Sequence, residues 1–209
     1  MKILIIGGSR GIGRAMLECA VKRGFEVTVL ARFPEKIDAD ESKITILKGD
    51  VLNKEDLTLA VNGQDAVCSC IGVPITFKPV SLFSRAAENI VEVMENNTEQ
   101  KFVAVTGIGA GDSKGHGGFL YDKIFKPIFL STIYQDKDRE EEIIQSSALD
   151  WLIVRPAGLT NGPQTGKYRV IDNLDGIVAK RISRMDVADF ILNQIEEPSQ
   201  FGKAVLLTY

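Results

Sequence analysis

The segment GGSRGIGRA, directly after the apolar run ILII, has the residue types of a phosphate-binding turn. Its glycines Gly7, Gly11 and Gly13 follow the spacing G-x-x-x-G-x-G. Glycines at such positions permit a tight turn, let the backbone approach a pyrophosphate and let the following helix pack closely on the sheet. The N-terminus of that helix would direct its free amides and the positive end of its dipole at the phosphates. We therefore predict a pyrophosphate site here, lined also by Ser9 and Ile12.

The end of the second strand, in EVTVLARFPEK, indicates which dinucleotide the turn would hold. Proteins that prefer NAD place an acid there, which accepts a hydrogen bond from the ribose 2′-hydroxyl. This chain has Arg32 instead, and its carboxylates Glu35 and Asp38 come later. Arg10 would face the same ribose from the glycine turn, and two forked guanidinium groups suit a 2′-phosphate. The sequence therefore predicts NADP(H), with a preference for NADPH.

The elements that must position these residues alternate between short apolar strands and longer helices. Strands that are apolar throughout are typical of parallel sheets covered on both faces. The alternation predicts an α/β fold, a Rossmann-like doubly wound parallel sheet with helices on both faces, as a single domain over residues 1–209. The predicted strands are Ile3–Ile6, Glu26–Ala31, Ile44–Leu47, Ala66–Ile71, Phe102–Thr106, Trp151–Val154 and Ala204–Thr208. The predicted helices are Gly11–Arg23, Lys54–Val61, Ser81–Asn96, Tyr134–Ser147 and Arg184–Glu196.

Right-handed crossovers predict where a nucleotide would lie in this sheet. The first three strands build outward, and the chain then returns to the other side of the first strand. The binding crevice lies at that reversal, above the carboxyl ends of the strands. We expect the substrate side to come from elements within residues 112–133 and 157–209, which include the Gly/Pro-rich loop Gly158–Gly166.

The composition argues against several kinds of partner. The 209 residues carry a formal net charge of −3, which gives no reason to expect nucleic acid or an anionic membrane. The apolar stretch at the N-terminus is too short for a signal peptide or a membrane span. Cys19, Cys68 and Cys70 cannot all pair, which favours a reducing cytoplasm. Two neighbouring cysteines and the single His116 do not complete a tetrahedral site, so we expect no metal. With nucleic acid and membranes disfavoured, we expect the partner to be a small-molecule substrate.

Several segments together resemble a known superfamily. GGSRGIGRA, EVTVLAR, GDVLNKEDL, VTGIGA, WLIVRPAGL and RMDVADFIL are similar to the short-chain dehydrogenases/reductases. The resemblance is greater to their small atypical branch of NAD(P)H-binding, NmrA-like proteins, which includes biliverdin reductase B (flavin reductase). It covers nearly the whole chain and is weakest over residues 112–133. The glycine spacing departs from that branch, whose G-x-x-G-x-x-G would put glycine where Arg10 stands, and matches the standard reductases, whose SRGIG segment typically serves NADPH.

The resemblance implies further cofactor contacts. Asp50 and Val51 would lie beside the adenine, with the carboxylate accepting its amino hydrogens. Ile71 and Gly72 would pass under the adenosine ribose and the pyrophosphate, and Thr106 would lie near the nicotinamide. The RPAGL segment would offer backbone groups to the carboxamide from Pro156, Ala157, Gly158 and Leu159. For the side chains of Ile71 and Leu159, a plain role in the core is the alternative.

The resemblance also indicates candidate catalytic residues, which are Lys137, Tyr134 and Thr106. Lys137 aligns with the helix lysine that hydrogen-bonds the nicotinamide ribose in the Tyr-x-x-x-Lys motif. The tyrosine acid of that motif would fall on Ile133, and Tyr134, one residue later, is rotated by about 100° on a helix. We therefore do not expect Tyr134 to point where the acid of the family points. Gly107 follows Thr106 where the catalytic serine is expected, so the usual acid is predicted to be absent.

Three functions remain open at this point. The favoured one is a reductase that passes hydride to a planar acceptor, such as a flavin, a quinone or a conjugated carbonyl, which needs no acid from the enzyme. In the second, an irregular helix start swings Tyr134 into place, and the protein is a carbonyl reductase or an epimerase-like enzyme. In the third, the protein is a non-catalytic NADP(H)-sensing regulator of the NmrA-like kind.

The segment GHGGFLYDKIFKPIFLSTIY bears on this choice because it is rich in aromatic residues and stands where the family has its substrate loop. An apolar lid there would exclude water and stack on a planar acceptor. The alternative is a helix packed on the core or on the partner of a homodimer, since a monomer and a homodimer are both open. His116 is expected to be a hinge residue rather than a proton donor, and Asp138, Arg139 and Glu140–Glu142 to form a solvated helix face. The aromatic residues are Phe119, Tyr121, Phe125, Phe129 and Tyr134.

Overall fold

A computed structural model describes residues 1–95, 99–118 and 121–209 of the chain. The strands are β1 (Lys2–Ile6), β2 (Glu26–Ala31), β3 (Ile44–Lys48), β4 (Ala66–Ser69), β5 (Lys101–Val105), β6 (Asp150–Pro156), β7 (Gly158–Thr160), β8 (Arg169–Ile171), β9 (Arg181–Ser183) and β10 (Lys203–Thr208). The helices are α1 (Gly11–Lys22), α2 (Lys54–Val61), α3 (Leu82–Met94), α4 (Ser131–Ser146) and α5 (Arg184–Glu196).

The main sheet has the order β3-β2-β1-β4-β5-β6-β10-β8. Its pairs are parallel except for β8, which runs antiparallel to β10. The chain builds outward from β1 to β3 and then crosses to β4 on the other side of β1. This reversal confirms the predicted doubly wound Rossmann-like fold, and it places the crevice above the carboxyl ends of β1 and β4.

Two apolar cores lie on opposite faces of the sheet. Along β1 the buried side chains alternate between them, because successive residues of a strand point to opposite faces. Ile3 and Ile5 pack with residues of α1 and α5, whereas Leu4 and Ile6 pack with residues of α2, α3 and α4. Burial on both faces explains why the central strands are apolar throughout.

The structure differs from the predicted elements around the crevice. Strand β4 ends at Ser69 and not at Ile71, and the next residue, Cys70, lies against Gly7 of the glycine turn. Helix α4 begins at Ser131, three residues before the predicted start, and a π-helical segment, Tyr121–Leu130, leads directly into it. That segment contains Pro127, which would interrupt a regular α-helix.

Three short strands after β6 were not predicted, because three residues leave too little pattern to recognise. Strands β7 and β9 form a small parallel pair beside the main sheet. The loop before β8 is held by α5, where Asp186 Oδ1 accepts hydrogen bonds from the amides of Thr165 and Gly166 at 2.7 and 2.9 Å. The predicted substrate side is therefore built from short segments that are held by strand pairing and by hydrogen bonds to α5.

Candidate functional site

The glycine turn between β1 and α1 has the geometry that its spacing predicts. Gly7 has a φ of +93°, and a Cβ added to it would lie 2.7 Å from the carbonyl oxygen of Cys70. A Cβ on Gly13 would collide with the carbonyl oxygen of Gly7, so the start of α1 packs directly on the turn. Gly11 has a φ of +64°, but a Cβ there would meet no atom within 4 Å. Gly7 and Gly13 are thus required by packing, whereas Gly11 combines a left-handed backbone with an open face.

The N-terminus of α1 is suited to an anion. Arg10 occupies the N-cap position in an extended conformation and makes no side-chain capping hydrogen bond. The first turn contains no acidic residue, and its amides and dipole face the open side of the turn. Ser9 is exposed beside it, whereas Ile12 is buried in the core below α1. These residues fit a pyrophosphate group.

Basic side chains stand at this helix start and at the end of the neighbouring strand β2. Arg10 and Arg32 are both exposed, and the guanidinium of Arg32 lies 5.9 Å from the centre of the Phe33 ring. Arg14, one turn after Arg10, was not singled out from the sequence; its Nη2 lies 3.0 Å from Oδ2 of Asp38. This pair connects α1 to the segment after β2. The predicted pairing of Arg10 and Arg32 on a 2′-phosphate stays a prediction.

The predicted adenine residues lie in the loop after β3. The Asp50 carboxylate accepts the amide of Leu52 at 3.0 Å, which fixes its orientation. Val51 is buried, and its carbonyl oxygen accepts a hydrogen bond from the Asn89 side chain at 3.0 Å. Gly72 differs from both, because it is exposed and a Cβ there would meet open space. The protein's own packing therefore does not require glycine at position 72, which leaves room for a ligand.

The RPAGL segment is more engaged in the sheet than expected. The carbonyl oxygen of Pro156 accepts the amide of Ile108 at 3.0 Å, and the amide of Ala157 donates to Leu207 at 2.9 Å. Gly158 and Leu159 pair with β9, and the side chain of Leu159 is exposed rather than in the core. The amide of Ala157 is therefore already satisfied and is poorly suited to a carboxamide.

The side chain of Thr106 takes part in a buried polar network. Its hydroxyl donates to Glu141 Oε1 at 2.7 Å, and the same carboxylate accepts two hydrogen bonds from Arg155, at 3.0 and 2.6 Å. Arg155 also pairs with Asp112. This network connects β5, α4 and β6, so Thr106 has a clear structural task here, and its predicted catalytic role remains a prediction.

Lys137 lies at the carboxyl end of β5. Its Nζ is 3.4 Å from the carbonyl oxygen of Val105 and 3.7 Å from Oε2 of Glu140. The ammonium also lies 4.1 Å from the centre of the Phe83 ring, a distance that permits a cation–π interaction. The side chain is 9% exposed, so α4 places a largely buried cation at the crevice edge.

The Tyr134 side chain reaches the same edge of the sheet, and its orientation relative to the acid of the family stays a prediction. Its hydroxyl oxygen lies 2.9 Å from the position that a Cβ on Gly107 would occupy. Ile133 takes the buried side of the helix, whereas Tyr134 and Lys137, three residues apart, share a face. The ring is long enough to span the distance from α4 to the end of β5. The Tyr134 hydroxyl thus lies next to Gly107, the position at which the resemblance places the catalytic serine.

Lys126 in the π-helical segment is a residue that the sequence analysis missed. Its Nζ lies 4.9 Å from the centre of the Tyr134 ring and donates a hydrogen bond to the Gly109 carbonyl. Burial lowers the pKa of this lysine. No sequence signal singles it out, because only the π-helical geometry brings it over the loop after β5.

Exposed apolar side chains line the mouth of the crevice. The Phe77 ring, in the loop after β4, lies 6.3 Å from the Phe129 ring in the π-helical segment. Thr132 Oγ1 donates to the Thr76 carbonyl at 3.1 Å and joins the same two elements. Of the aromatic residues predicted to form a lid, Phe119 and the side chains of Tyr121 and Phe125 lie outside the described residues. The exposed apolar residues here are Ile75, Phe77, Ile124, Ile128 and Phe129.

The sequence suggested that the acidic stretch of α4 is a solvated face, and the structure shows that much of it is buried. Glu142 and Arg139 are exposed, but Glu140 is 3% and Glu141 1% exposed. Asp136 is also buried; it accepts hydrogen bonds from the Phe83 amide at 2.8 Å and the Ser84 hydroxyl at 2.6 Å, and so caps α3 from outside. The error arose because charge alone does not distinguish a solvated face from a buried polar network.

Other features lie away from this crevice. His116 places Nδ1 3.0 Å from the Ile177 carbonyl oxygen, which ties the glycine-rich loop to the segment before β9. A cavity of about 700 Å³ between α4, β6 and β10 includes none of the predicted cofactor residues among its described lining.

No cluster of three or more metal-ligating side chains occurs within the described ranges. In the same part of the chain, no helix has the length and apolar character needed to cross a membrane.

The fold and the site together define a class of protein. A parallel sheet that reverses beside β1, a packed glycine turn and an uncapped α1 N-terminus are the features of a Rossmann-type dinucleotide-binding protein. The chain belongs to the NAD(P)H-binding family, whose sequence profile matches residues 7–198. Its cofactor is NAD(P)H.

One curated relative and two solved structures are similar to this chain over nearly its whole length. YwnB, an uncharacterized protein of Bacillus subtilis (strain 168), is 28% identical over 209 residues, which cover 95% of this chain and 93% of the relative. Among solved structures, the anaerobillin reductase ChuY of Escherichia coli O157:H7 has a TM-score of 0.83 and 22% identity, covering 100% of this chain and 97% of that one. A Streptococcus pneumoniae TIGR4 protein, provisionally described as an NADH-flavin reductase, has a TM-score of 0.77 and 26% identity, covering 100% and 99%.

Proposed function

We propose that this protein is an NADPH-dependent reductase that passes hydride to a planar, conjugated small molecule such as a flavin, a quinone or a conjugated carbonyl. The observation that carries this proposal is the apolar mouth of the crevice. Phe77 is 71% exposed and Ile128 52% exposed, next to the Phe77–Phe129 ring contact. Contiguous exposed apolar side chains usually mark a binding surface, and aromatic rings stack on planar ligands. The two structural neighbours named as reductases support the reductase part of this proposal, whereas its preference for NADPH depends on Arg10 and Arg32.

Each part of the crevice has a proposed task. The glycine turn and the α1 amides would bind the pyrophosphate, and Arg10 and Arg32 would bind the 2′-phosphate. Lys137 would donate hydrogen bonds to the nicotinamide ribose. The bound cofactor supplies the hydride, from C4 of its nicotinamide ring. The apolar mouth would exclude water and hold the acceptor plane against the site, so positioning would contribute most of the rate.

A second function is supported by the position of Tyr134. Its hydroxyl lies at the end of β5 beside Gly107, on the same helix face as Lys137. A tyrosine there could give its proton to a carbonyl oxygen of the substrate while hydride reaches the carbonyl carbon. The ammonium of Lys126 over the ring would favour loss of that proton. This arrangement corresponds to a carbonyl reductase or an epimerase-like enzyme.

The acceptor is tested by steady-state oxidation of NADPH. Purified protein is assayed with a flavin, a quinone, a conjugated carbonyl and a simple ketone, and the near-ultraviolet absorbance of NADPH is followed. We expect turnover with the planar acceptors and little with the ketone. Phe77→Ala and Phe129→Ala should raise the KM for the planar acceptor roughly three- to tenfold, without changing the Kd for NADPH. Leu59→Ala, at an exposed position on α2, is the matched control and should change neither value.

Tyr134→Phe separates the two functions. The substitution removes the hydroxyl and keeps the ring, so reduction of a flavin or quinone should be nearly unchanged. If turnover instead falls by about a hundredfold or more, the tyrosine acts as an acid and the second function is correct. Tight NADPH binding without turnover of any acceptor would contradict both functions and would favour an NADP(H)-sensing regulator.

The proposed location is the cytoplasm. Cys19, Cys68 and Cys70 are free thiols in the structure. Burial raises the pKa of Cys70 to about 12 and raises that of Cys68 as well, so both remain protonated. Unpaired buried cysteines are typical of proteins from a reducing compartment.

A further inference from the structure

Glu140 is a buried carboxylate next to Lys137. It lies on α4, is 3% exposed, and its Oε2 is 3.7 Å from the Lys137 ammonium. This oxygen is buried and accepts no hydrogen bond from any residue in the described ranges. A carboxyl group without a full set of partners is costly to bury, so its retention calls for an explanation.

The neighbouring buried acids, Asp136 and Glu141, differ from Glu140 because hydrogen-bond donors satisfy their carboxylate oxygens. Asp136 accepts hydrogen bonds from the Phe83 amide and from the Ser84 and Arg139 side chains. Glu141 is bound by Arg155 and by Thr106. Of the carboxylates buried on α4 within the described residues, Glu140 is the one that faces Lys137.

The groups around Glu140 make it sensitive to pH near neutrality. Burial raises the pKa of the Glu140 carboxyl to about 7, with Lys137 opposing this rise and Glu141 and Asp136 adding to it. Helix α3 contributes Phe83 and Ser84, which are not ionisable near neutral pH and are bound to Asp136 or packed on Lys137.

The sheet adds two further groups to this surrounding. At the end of β4, the Cys70 thiol stays neutral because burial raises its pKa to about 12. On β6, Arg155 is paired with Glu141 and Asp112. Neither group changes its charge near neutral pH, so the charge facing Lys137 is set from α4.

We propose that Glu140 is the positioning residue for Lys137 and that the charge on its carboxyl controls how tightly the site holds the nicotinamide dinucleotide. When Glu140 is protonated, the full charge of the Lys137 ammonium is available to the ribose hydroxyls and to the anionic dinucleotide. When Glu140 is ionised, it neutralises Lys137 and draws Nζ toward Oε2. Affinity therefore falls as the pH rises through the pKa of Glu140. This inference rests on the proposed role of Lys137 in binding the cofactor.

Linkage adds a second consequence. If protonated Glu140 favours binding, binding must in turn favour protonation of Glu140. The protein therefore takes up a fraction of a proton when the dinucleotide binds near neutral pH. A residue that merely stabilises the fold would not produce this uptake.

The test uses NADH as the probe, because it lacks a 2′-phosphate that would titrate in the same range. The Kd for NADH is measured by fluorescence between about pH 6 and about pH 8, and proton uptake by calorimetry in buffers of different ionisation enthalpy. We expect the wild-type Kd to rise about fivefold across this range, with proton uptake near pH 7. Glu140→Gln should keep a low Kd throughout and show no uptake. Glu142→Gln removes an exposed charge from the same helix and should behave like the wild type.

Two outcomes would overturn the proposal. One is a wild-type Kd that is constant or falls with rising pH, which needs no variant to establish. The other is a Glu140→Gln protein that is folded but keeps the wild-type slope and the proton uptake. Neither readout depends on turnover. If NADH binds with the expected pH dependence but no acceptor is reduced, the proposed reductase function fails while the role of Glu140 stands.

Discussion

At the scale of single residues, Arg10 and Arg32 are expected to determine which dinucleotide is bound. Both guanidinium groups are exposed, Arg10 at the N-cap of α1 and Arg32 directly after β2, a strand that pairs with β1 and ends without a carboxylate. We expect Arg10→Ala and Arg32→Ala each to raise the Kd for NADPH about tenfold or more, because each removes charge-assisted hydrogen bonds to the 2′-phosphate. The Kd for NADH should change little. Fluorescence titration with both dinucleotides measures the effect.

The matched control for these variants is Arg169→Ala. Arg169 is an exposed arginine on β8, at the opposite edge of the sheet, so its removal changes the net charge equally without touching the crevice. If the control weakens NADPH binding as much as Arg32→Ala does, the effect comes from net charge and not from a specific phosphate contact.

Glu140 also makes a prediction for stability. Its pKa is about 7 in the fold, against 4.5 for an ordinary glutamate, so the folded state keeps its proton over a range where the unfolded state loses it. The free energy of unfolding should therefore be highest below about pH 4.5 with respect to this group, and should decrease as the pH rises to about 7. The contribution of this group is on the order of a few kcal/mol. Urea unfolding of the wild type and of Glu140→Gln at several pH values measures it.

The difference between the two proteins is the informative quantity, because every other titrating group is common to both. Glu140→Gln should show a smaller decrease in unfolding free energy between about pH 5 and about pH 7. Parallel curves for the two proteins would show that Glu140 ionises normally. Such a result would also remove one support for the inference on cofactor affinity.

At the scale of elements, glycine stands at two different kinds of position in the connections that follow β1 and β4. A Cβ at position 13 would collide with the Gly7 carbonyl oxygen, whereas a Cβ at position 72 would enter open space. We expect Gly13→Ala to lower the free energy of unfolding by about 1 to 3 kcal/mol and to weaken NADPH binding, because α1 must move away from the turn. Chemical denaturation and NADPH titration measure the two effects.

Gly72→Ala is the matched variant at the crevice. Its unfolding free energy should stay within about 0.5 kcal/mol of the wild type, because the added methyl group meets no protein atom. NADPH should nevertheless bind more weakly, since the methyl group occupies space that the ribose or the pyrophosphate needs. Unchanged affinity would show that the cofactor does not pass over position 72.

The elements that sequence could predict are those with long or uniform patterns. The apolar runs of β1, β2 and β5 were recognisable because burial on both faces leaves a continuous signal. The longer helices were recognisable from their length and their alternation with these strands. The glycine turn was recognisable because its spacing is imposed by backbone contacts. The π-helical segment and the three-residue strands were not, since their geometry depends on neighbours that are distant in sequence. The same reason applies to Lys126, which lies in the π-helical segment, and to the contact of Phe77 with Phe129 in that segment.

At the scale of the whole molecule, the fold brings its polar network to one side of the carboxyl edge of the sheet. Glu141 on α4 joins Thr106 after β5 to Arg155 on β6, and Arg155 continues to Asp112 in the loop that follows β5. Helix α4 also carries Tyr134 and Lys137. The network therefore fixes the helix that holds these candidate catalytic residues. Stability and site geometry are therefore coupled through one buried ion pair.

This coupling gives a prediction for the molecule as a whole. Glu141→Gln leaves the Arg155 guanidinium buried with only the exposed Asp112 as a charged partner, so unfolding free energy should fall by about 3 kcal/mol. Glu142→Gln, on the next residue and exposed, should change it by less than about 0.5 kcal/mol. The double variant Glu141→Leu with Arg155→Met should recover much of the loss, because it removes both buried charges together. If urea unfolding shows the double variant to be less stable than Glu141→Gln, the ion pair stabilises the fold by more than its burial costs. The attachment of α4 to the sheet would then depend on the attraction between these two charges and not on apolar packing alone.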